Sequence, residues 1–210
     1  VASVNPDGTI MLVEGSVDIG GSRTAVAQQL AEVLGIPVTD IFPEVGDTDS
    51  IGYTDVTGGS RVTYATGWAA YEAALDVKRQ MTDRVAKVWE VDVDQVEFAD
   101  GTFRTRDGSK SIGFKELAGK IDDTGGPVVG QGSVDPAAGV GGSFAANVVD
   151  VEVDPETGKV SILRFTVAQD AGKAIHPSYV EGQMQGGSVQ GIGWALNEEY
   201  FYTDEGVMAN

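Results

Sequence analysis

Apolar positions recur along this chain at two periods, three-to-four and two, and the change between them lays out the elements. Residues 1–4 and 9–15 alternate on either side of Asn5-Pro6-Asp7-Gly8, whose Pro, Asp and Gly supply a turn, so a hairpin is expected there. Val26, Leu30, Val33 and Leu34 share one face and predict a helix over 24–34, ended by Gly35 and barred from continuing by Pro37. A strand is expected over 41–46, then a polar loop over 47–57. The longest periodic run is Val62, Ala65, Ala69, Ala73, Val77, Met81, Val85 and Val88, the core stripe of a helix over 62–88. Its first half is rich in Ala and Gly, including Gly67, Ala70 and Ala74, which predicts that another backbone packs close against it.

The periodicity weakens over 91–130. A hairpin with a type I′ turn at Asp100-Gly101 is expected over 96–104, then a short strand over 109–113, a short helix over 114–120 and a turn-rich link over 122–127. These segments read as a peripheral subdomain, residues 91–126, set into a core made of 1–90 and 127–210. A glycine cluster follows at 139–143. Residues 144–153 and 159–169 then alternate clearly around Asp154-Pro155-Glu156-Thr157-Gly158, predicting two long antiparallel strands with Val149, Val151 and Val153 on one face. Asp170-Ala171-Gly172 breaks the second strand, and His176-Pro177 opens a loop, since the residue before proline avoids helix. A helix is expected over 179–196 although it carries Gly182, Gly186, Gly187, Gly191 and Gly193. Each interior glycine costs up to about 1 kcal/mol against alanine, so close helix packing or close approach of a large ligand is needed to account for them. A last strand pair is expected over 200–203 and 206–210. The fold class is α+β, with mixed and antiparallel sheets packed against long helices.

With 210 residues, 41% of them hydrophobic, the chain can bury a substantial core. A formal net charge of -18 argues against a nucleic-acid-binding face, which needs a basic patch. There is no cysteine and only one histidine, His176, so the chain has no disulfide, no thiolate-ligated zinc or iron–sulfur site and no histidine-cluster metal site. No apolar run is long enough to span a membrane and no signal peptide is visible, which fits a cytoplasmic protein. The chain opens on Val1 inside a strand pattern, as a piece of a longer polypeptide would.

Two stretches read almost alike, Gly20-Gly21-Ser22-Arg23 and Gly58-Gly59-Ser60-Arg61. Each follows a loop aspartate, Asp18 or Asp55, and each precedes a helical pattern. Glycine lets backbone approach a ligand, and serine suits a helix N-cap. An arginine in the first turn opposes the helix dipole unless an anion lies between it and the helix N-terminus. The plainer alternative is that both arginines pair with the nearby aspartates. Asp47 and Asp49 are turn-formers by default, Trp68 and Trp194 core residues, and His176 a structural or exposed histidine. Gln183 and Gln190 lie along the glycine-laced helix, where an amide can donate to and accept from a heterocycle. No Walker sequence, dinucleotide-binding glycine motif or Gly-x-Ser-x-Gly elbow is present.

Taken in order, Gly15-Ser16-Val17-Asp18-Ile19-Gly20-Gly21-Ser22-Arg23-Thr24, Asp47-Thr48-Asp49, Thr57-Gly58-Gly59-Ser60-Arg61, the strands over 142–153 and 159–170, Val180-Glu181-Gly182-Gln183-Met184-Gln185-Gly186-Gly187 and Val189-Gln190-Gly191-Ile192-Gly193 form a recognisable series. The chain resembles the C-terminal molybdopterin-binding domain of the xanthine dehydrogenase and aldehyde oxidase family, the molybdenum hydroxylases, over nearly its whole length. The resemblance implies part of a large subunit of an oxidoreductase that hydroxylates a purine, an aldehyde or an N-heterocycle with oxygen from water. It implies a molybdenum-pyranopterin cofactor, in bacteria often in its cytosine dinucleotide form. Iron–sulfur clusters and FAD would belong to other domains or subunits, and an N-terminal molybdopterin-binding domain would be a partner. Gly20, Gly21, Ser22, Arg23, Gly59, Ser60, Arg61 and Gln183 match positions that contact the cofactor in relatives. Two departures stand out. Many relatives carry a Gln between the glycines of the first loop, where this chain has Gly21 and Ser22. The family's general-base glutamate lies in a Gly-Glu segment that would follow Asn210, so no catalytic residue and no protein metal ligand is assigned, and the fragment is expected to be inactive alone. A non-catalytic binding or assembly domain on the same scaffold is the alternative.

Overall fold

The structure, a computed structural model, describes residues 1–135 and 142–210. The chain divides into two compact units, Val1–Val140 and Gly141–Asn210.

The first unit opens with the expected hairpin, β1 (Ala2–Val4) and β2 (Ile10–Glu14), paired antiparallel from Ala2↔Leu12 to Val4↔Ile10. Asp7 Oδ1 accepts from Thr9 at both its amide (2.9 Å) and its hydroxyl (2.6 Å), which fixes the turn. Helix α1 (Ser22–Leu34) ends where Gly35 turns left-handed at φ 58°. It returns the chain to β3 (Ile41–Val45), which runs parallel to β2. The polar loop after β3 contains one helical turn, α2 (Thr48–Ile51), not foreseen as helix because four residues are too few to show a period. Asp47 caps it, accepting from the amides of Asp49 (2.9 Å) and Ser50 (2.8 Å).

Helix α3 (Val62–Trp89) is the spine of this unit. Ala65, Ala73, Val77, Met81 and Val85 are buried as the periodicity requires, but Ala70, Ala74 and Ala86 join them, while Val88 is 53% exposed. The stripe drifts at 3.6 residues per turn, so Val85 and Ala86 take the inward positions of the last turn. β4 (Val96–Ala99), β5 (Thr102–Thr105) and β6 (Ser111–Gly113) make a small antiparallel sheet. Its first turn has φ of 47° at Asp100 and 68° at Gly101, the two positive values a type I′ turn needs. The short helix expected over 114–120 is α4 (Phe114–Ala118), and a further turn, α5 (Ile121–Thr124), lies in the link. β7 (Val128–Gly130) closes the main sheet beside β1, giving the order β3-β2-β1-β7.

Ile10, Leu12, Val26, Leu30, Leu34, Val77, Met81 and Val128 form one buried cluster that also includes Phe103, Phe114 and Leu117 from the weakly periodic region. The small residues of α3 serve the close packing they predict. A Cβ added at Gly130 or Gly132 would meet the carbonyls of Ala73 or Ala69, and one at Gly67 would meet the Gln29 amide.

In the second unit β8 (Ala145–Val153) and β9 (Val160–Gln169) pair antiparallel, with a register shift at Asp150/Val151. Asp154 closes their turn by accepting from the Glu156 amide (2.9 Å) and the Thr157 hydroxyl (2.8 Å). Helix α6 (Pro177–Leu196) starts with Pro at a position whose missing N–H costs nothing, with His176 as the residue before it. None of its residues is buried, and Trp194, expected in the core, is 67% exposed. A Cβ at Gly182, Gly186, Gly187 or Gly191 would meet nothing within 4 Å, so packing among the described residues does not account for those glycines. The strand pair expected at the end is a single bridge, Tyr202↔Met208; the strands are too short to extend it. Most of the glycine cluster at 139–143 lies outside the described residues. No helix is long and apolar enough to cross a membrane among the described residues.

Candidate functional site

The two near-identical stretches fold differently. In the first, Gly20 (φ 63°) and Gly21 (φ 76°) are both left-handed, and α1 begins at Ser22 with Gly21 as the residue before it. Ser22 is therefore not the N-cap; it is buried in the first turn, where its Oγ accepts from the Ile19 amide at 3.2 Å. The capping acceptor comes from further back. Asp18 Oδ1 accepts from the Arg23 amide at 3.1 Å and from Ser22 Oγ at 3.5 Å, while Asp18 Oδ2 lies 3.5 Å from Arg23 Nε. The amides of Ser22 and Thr24 donate to carbonyls of Ile19 and Gly21. A carboxylate thus fills the anion position at this helix start, and the arginine is neutralised by it.

In the second, the left-handed pair is displaced by one residue, Gly59 (φ 63°) and Ser60 (φ 58°), and Arg61 is the residue before α3. A serine held at positive φ is strained, since its Cβ crowds the following carbonyl. No side chain caps α3, and among the described residues nothing accepts from the amides of Val62, Thr63 or Tyr64. Arg61 Nη1 donates to the carbonyls of Asp55 (3.1 Å) and Val56 (3.3 Å), and its Nε stands 4.0 Å from Asp55 Oδ2. Its side chain is 19% exposed, against 42% for Arg23. Both arginines have an aspartate neighbour, but only the second start leaves its helix amides open.

Two tie points hold the body of α1 and the loop before it to the beginning of α3. Gln29 Nε2 donates to the Thr63 carbonyl at 3.1 Å, and the hydroxyls of Ser16 and Thr66 share a hydrogen bond of 2.7 Å. Ile51 and Thr54 press on Gly15, where a Cβ would come within 2.8 Å of Ile51 Cδ1. Between these segments lies a cavity of about 810 Å³, walled by Glu14, Gly15, Tyr53, Asp55, Arg61 and Tyr64 among others. Arg61 is on that wall; Gly59, Ser60, Gly20, Gly21, Ser22 and Arg23 are not. Gln183 is an exposed residue of α6, in the second unit.

One residue of the wall escaped the sequence reading. Glu14 continues the inward face of β2 after Ile10 and Leu12 and is only 6% exposed. Neither of its carboxylate oxygens has a hydrogen-bond partner among the described residues. Burial pushes its pKa up to about 7; the charge of Asp18 adds to this, while Arg23 and the Val1 amine oppose it. The signal was present as an acid on the buried face of an alternating strand. No group of His, Asp or Glu side chains suited to a metal ion is present among the described residues.

Known proteins share the sequence pattern and the fold of this chain. Residues 1–210 match the family described as "Molybdopterin cofactor-binding domain" from end to end. The chain belongs to that family. It is 32% identical over 210 residues to the gamma subunit of the 6-hydroxypseudooxynicotine dehydrogenase complex of Paenarthrobacter nicotinovorans, covering 97% of this chain and 26% of that protein. It is 31% identical over 210 residues to the carbon monoxide dehydrogenase large chain of Afipia carboxidovorans, with the same coverage, 97% and 26%. Among solved structures, the Cu,Mo-CO dehydrogenase superposes with a TM-score of 0.88 at 29% identity, over 99% of this chain and 27% of that one. The α+β architecture is therefore that of a molybdopterin cofactor-binding domain, and the chain spans about a quarter of the length of these relatives.

Proposed function

We propose that this domain is the cofactor-binding part of the large subunit of a molybdenum hydroxylase, acting on a small molecule such as a purine, an aldehyde or an N-heterocycle. The observation that carries the reading is the start of α3: uncapped amides, a left-handed Gly59-Ser60 pair and a largely enclosed Arg61, with Arg61 and Tyr64 on the wall of a cavity of about 810 Å³. These residues fit an anionic, phosphate-bearing group, because helix amides and a guanidinium both favour negative charge. When bound, the molybdenum-pyranopterin supplies the redox centre at which a carbon is hydroxylated.

The chain's own residues bind and orient. Gly59, Ser60 and Arg61 hold the phosphate end, and the carbonyls of Asp55 and Val56 aim the Arg61 guanidinium. Gly20, Gly21, Ser22 and Arg23 form a second, self-closed loop that contributes backbone rather than free charge, and the Ser16–Thr66 hydrogen bond ties the chain before it to α3. Gln183 offers an amide to a heterocycle edge from α6. The cytosine dinucleotide form, iron–sulfur and FAD centres on other domains or subunits, and an N-terminal molybdopterin-binding domain as partner belong to the same proposal. So does a cytoplasmic location. The relative named as one subunit of a dehydrogenase complex supports the multisubunit part. Among the described residues none is given a catalytic role.

The test is metal and pterin analysis of the complete protein, purified in its complex from a host that makes the cofactor. Near-stoichiometric molybdenum and pterin are expected. A matured preparation carrying neither would favour an assembly domain that keeps the scaffold without the cofactor.

A further inference from the structure

We propose that Glu14 is a ligand-binding residue of the cavity beside α3, the acceptor for a paired N–H edge such as an aminopyrimidine presents. The inference rests on the function proposed above and makes that edge the pterin's. Three observations converge on it. The residue sits at the end of β2, on the wall of the cavity that Arg61 also lines. Its carboxylate is enclosed yet has no hydrogen-bond donor at either oxygen among the described residues. The cations that act on it are already engaged: Arg23 with Asp18, and the Val1 amine with the Val13 carbonyl at 2.9 Å.

Buried acids are kept only when paired, and an unpaired one lowers stability, so such a group marks a place where function is favoured over stability. Two free oxygens in one plane match two parallel N–H donors. A pterin carries that pair at its 2-amino group and adjacent ring N–H. The cavity, about 810 Å³, is roomy enough for a bicyclic ring, and Tyr53 and Tyr64 give its wall flat apolar surface. Glu14 and Arg61 then divide the labour by charge, the acid taking the donor-rich ring and the arginine the phosphate.

The test compares Glu14→Gln and Arg61→Ala with the parent, each as the complete protein in its complex. Pterin per protein is read by fluorescence after oxidation, and the melting temperature of the cofactor-free form is read alongside. Free pterin is then added to the cofactor-free form and its binding measured. Glu14→Gln is expected to lower retained pterin at least tenfold and to abolish binding of free pterin. The cofactor-free form should melt at the same temperature or higher, since an unpaired charge has gone. Retention of pterin by Glu14→Gln but not by Arg61→Ala would overturn this inference and leave the proposed function standing. Retention by both would overturn the two together. A lower melting temperature for Glu14→Gln with pterin unchanged would mean that Glu14 pairs with a protein group, which also overturns the inference.

Discussion

The starts of α1 and α3 carry the same four-residue wording and reach opposite electrostatic outcomes. At α1 the left-handed pair is Gly20-Gly21, which lets the chain fold back far enough for Asp18 to cap the helix and neutralise Arg23. At α3 the pair is Gly59-Ser60, one residue later in the motif, and the preceding aspartate, Asp55, accepts from the Val56 amide and faces Arg61 rather than the helix amides. The helix amides there have no acceptor among the described residues. A shift of one residue in where the backbone turns left-handed therefore decides whether a Gly-Gly-Ser-Arg helix start closes on itself or stays ready for an outside anion. Motif identity fixes which residues are at hand; dihedral register fixes which of them the helix uses.

The comparison is most exposed at its arginines. Arg61→Ala is expected to reduce molybdenum and pterin retained by the complete protein tenfold or more, with the fold intact by circular dichroism. Arg23→Ala should reduce retention by less than about threefold, because its charge is already spent on Asp18, and exposed pairs of this kind contribute only about 0–1 kcal/mol to stability. Equal losses in the two variants would erase the distinction between the helix starts.

Capping gives a smaller effect, seen in stability. Asp18→Ala should cost about 1 kcal/mol in urea unfolding, the usual loss for an N-capping side chain. No capping loss of this kind is available at α3. There Ser60→Gly is expected to stabilise by up to about 1 kcal/mol, since glycine adopts the left-handed conformation without a Cβ penalty. Destabilisation by Ser60→Gly would mean that the serine hydroxyl contributes more than its backbone strain costs.

The smallest effect is in pH dependence. The Glu14 pKa, raised from about 4.5 to about 7 in the folded protein, means that the folded state holds a proton the unfolded state has released across that window. Stability contributed by this group is full below about pH 4.5, falls as pH rises, and is lost above about pH 7. Asp18, Arg23 and the Val1 amine set the shift jointly with burial. Glu14→Gln should remove this component of the slope, which urea unfolding at a series of pH values would detect.

Much of the scaffold was legible because it follows the hydrophobic period. The hairpin of β1 and β2, α1 with its Gly35 stop, and the strands β8 and β9 are all written in apolar spacing and turn residues. The small residues Ala69 and Ala73 announced a close backbone neighbour, and Gly130 and Gly132 provide it. Elements of a few residues were not legible: α2 is a single turn set by the Asp47 cap, and the expected final strands reduce to one bridge. At the site, the sequence singled out Arg23 and Arg61 but not the difference between them, because the four letters do not encode which two residues turn left-handed. Glu14 was overlooked for a simpler reason. Its neighbours on the inward face, Ile10 and Leu12, mark the position as buried, but an acid at the end of a strand reads as solvent-facing unless the alternation is followed to its last residue.

The most direct measurement is a structure of the complete protein with its cofactor bound. The account predicts a phosphate oxygen of the cofactor within hydrogen-bonding distance of the Arg61 guanidinium or the first amides of α3, with Asp18 still seated on the start of α1. A phosphate lodged at Gly20–Ser22 with Asp18 displaced, and the start of α3 empty, would contradict it.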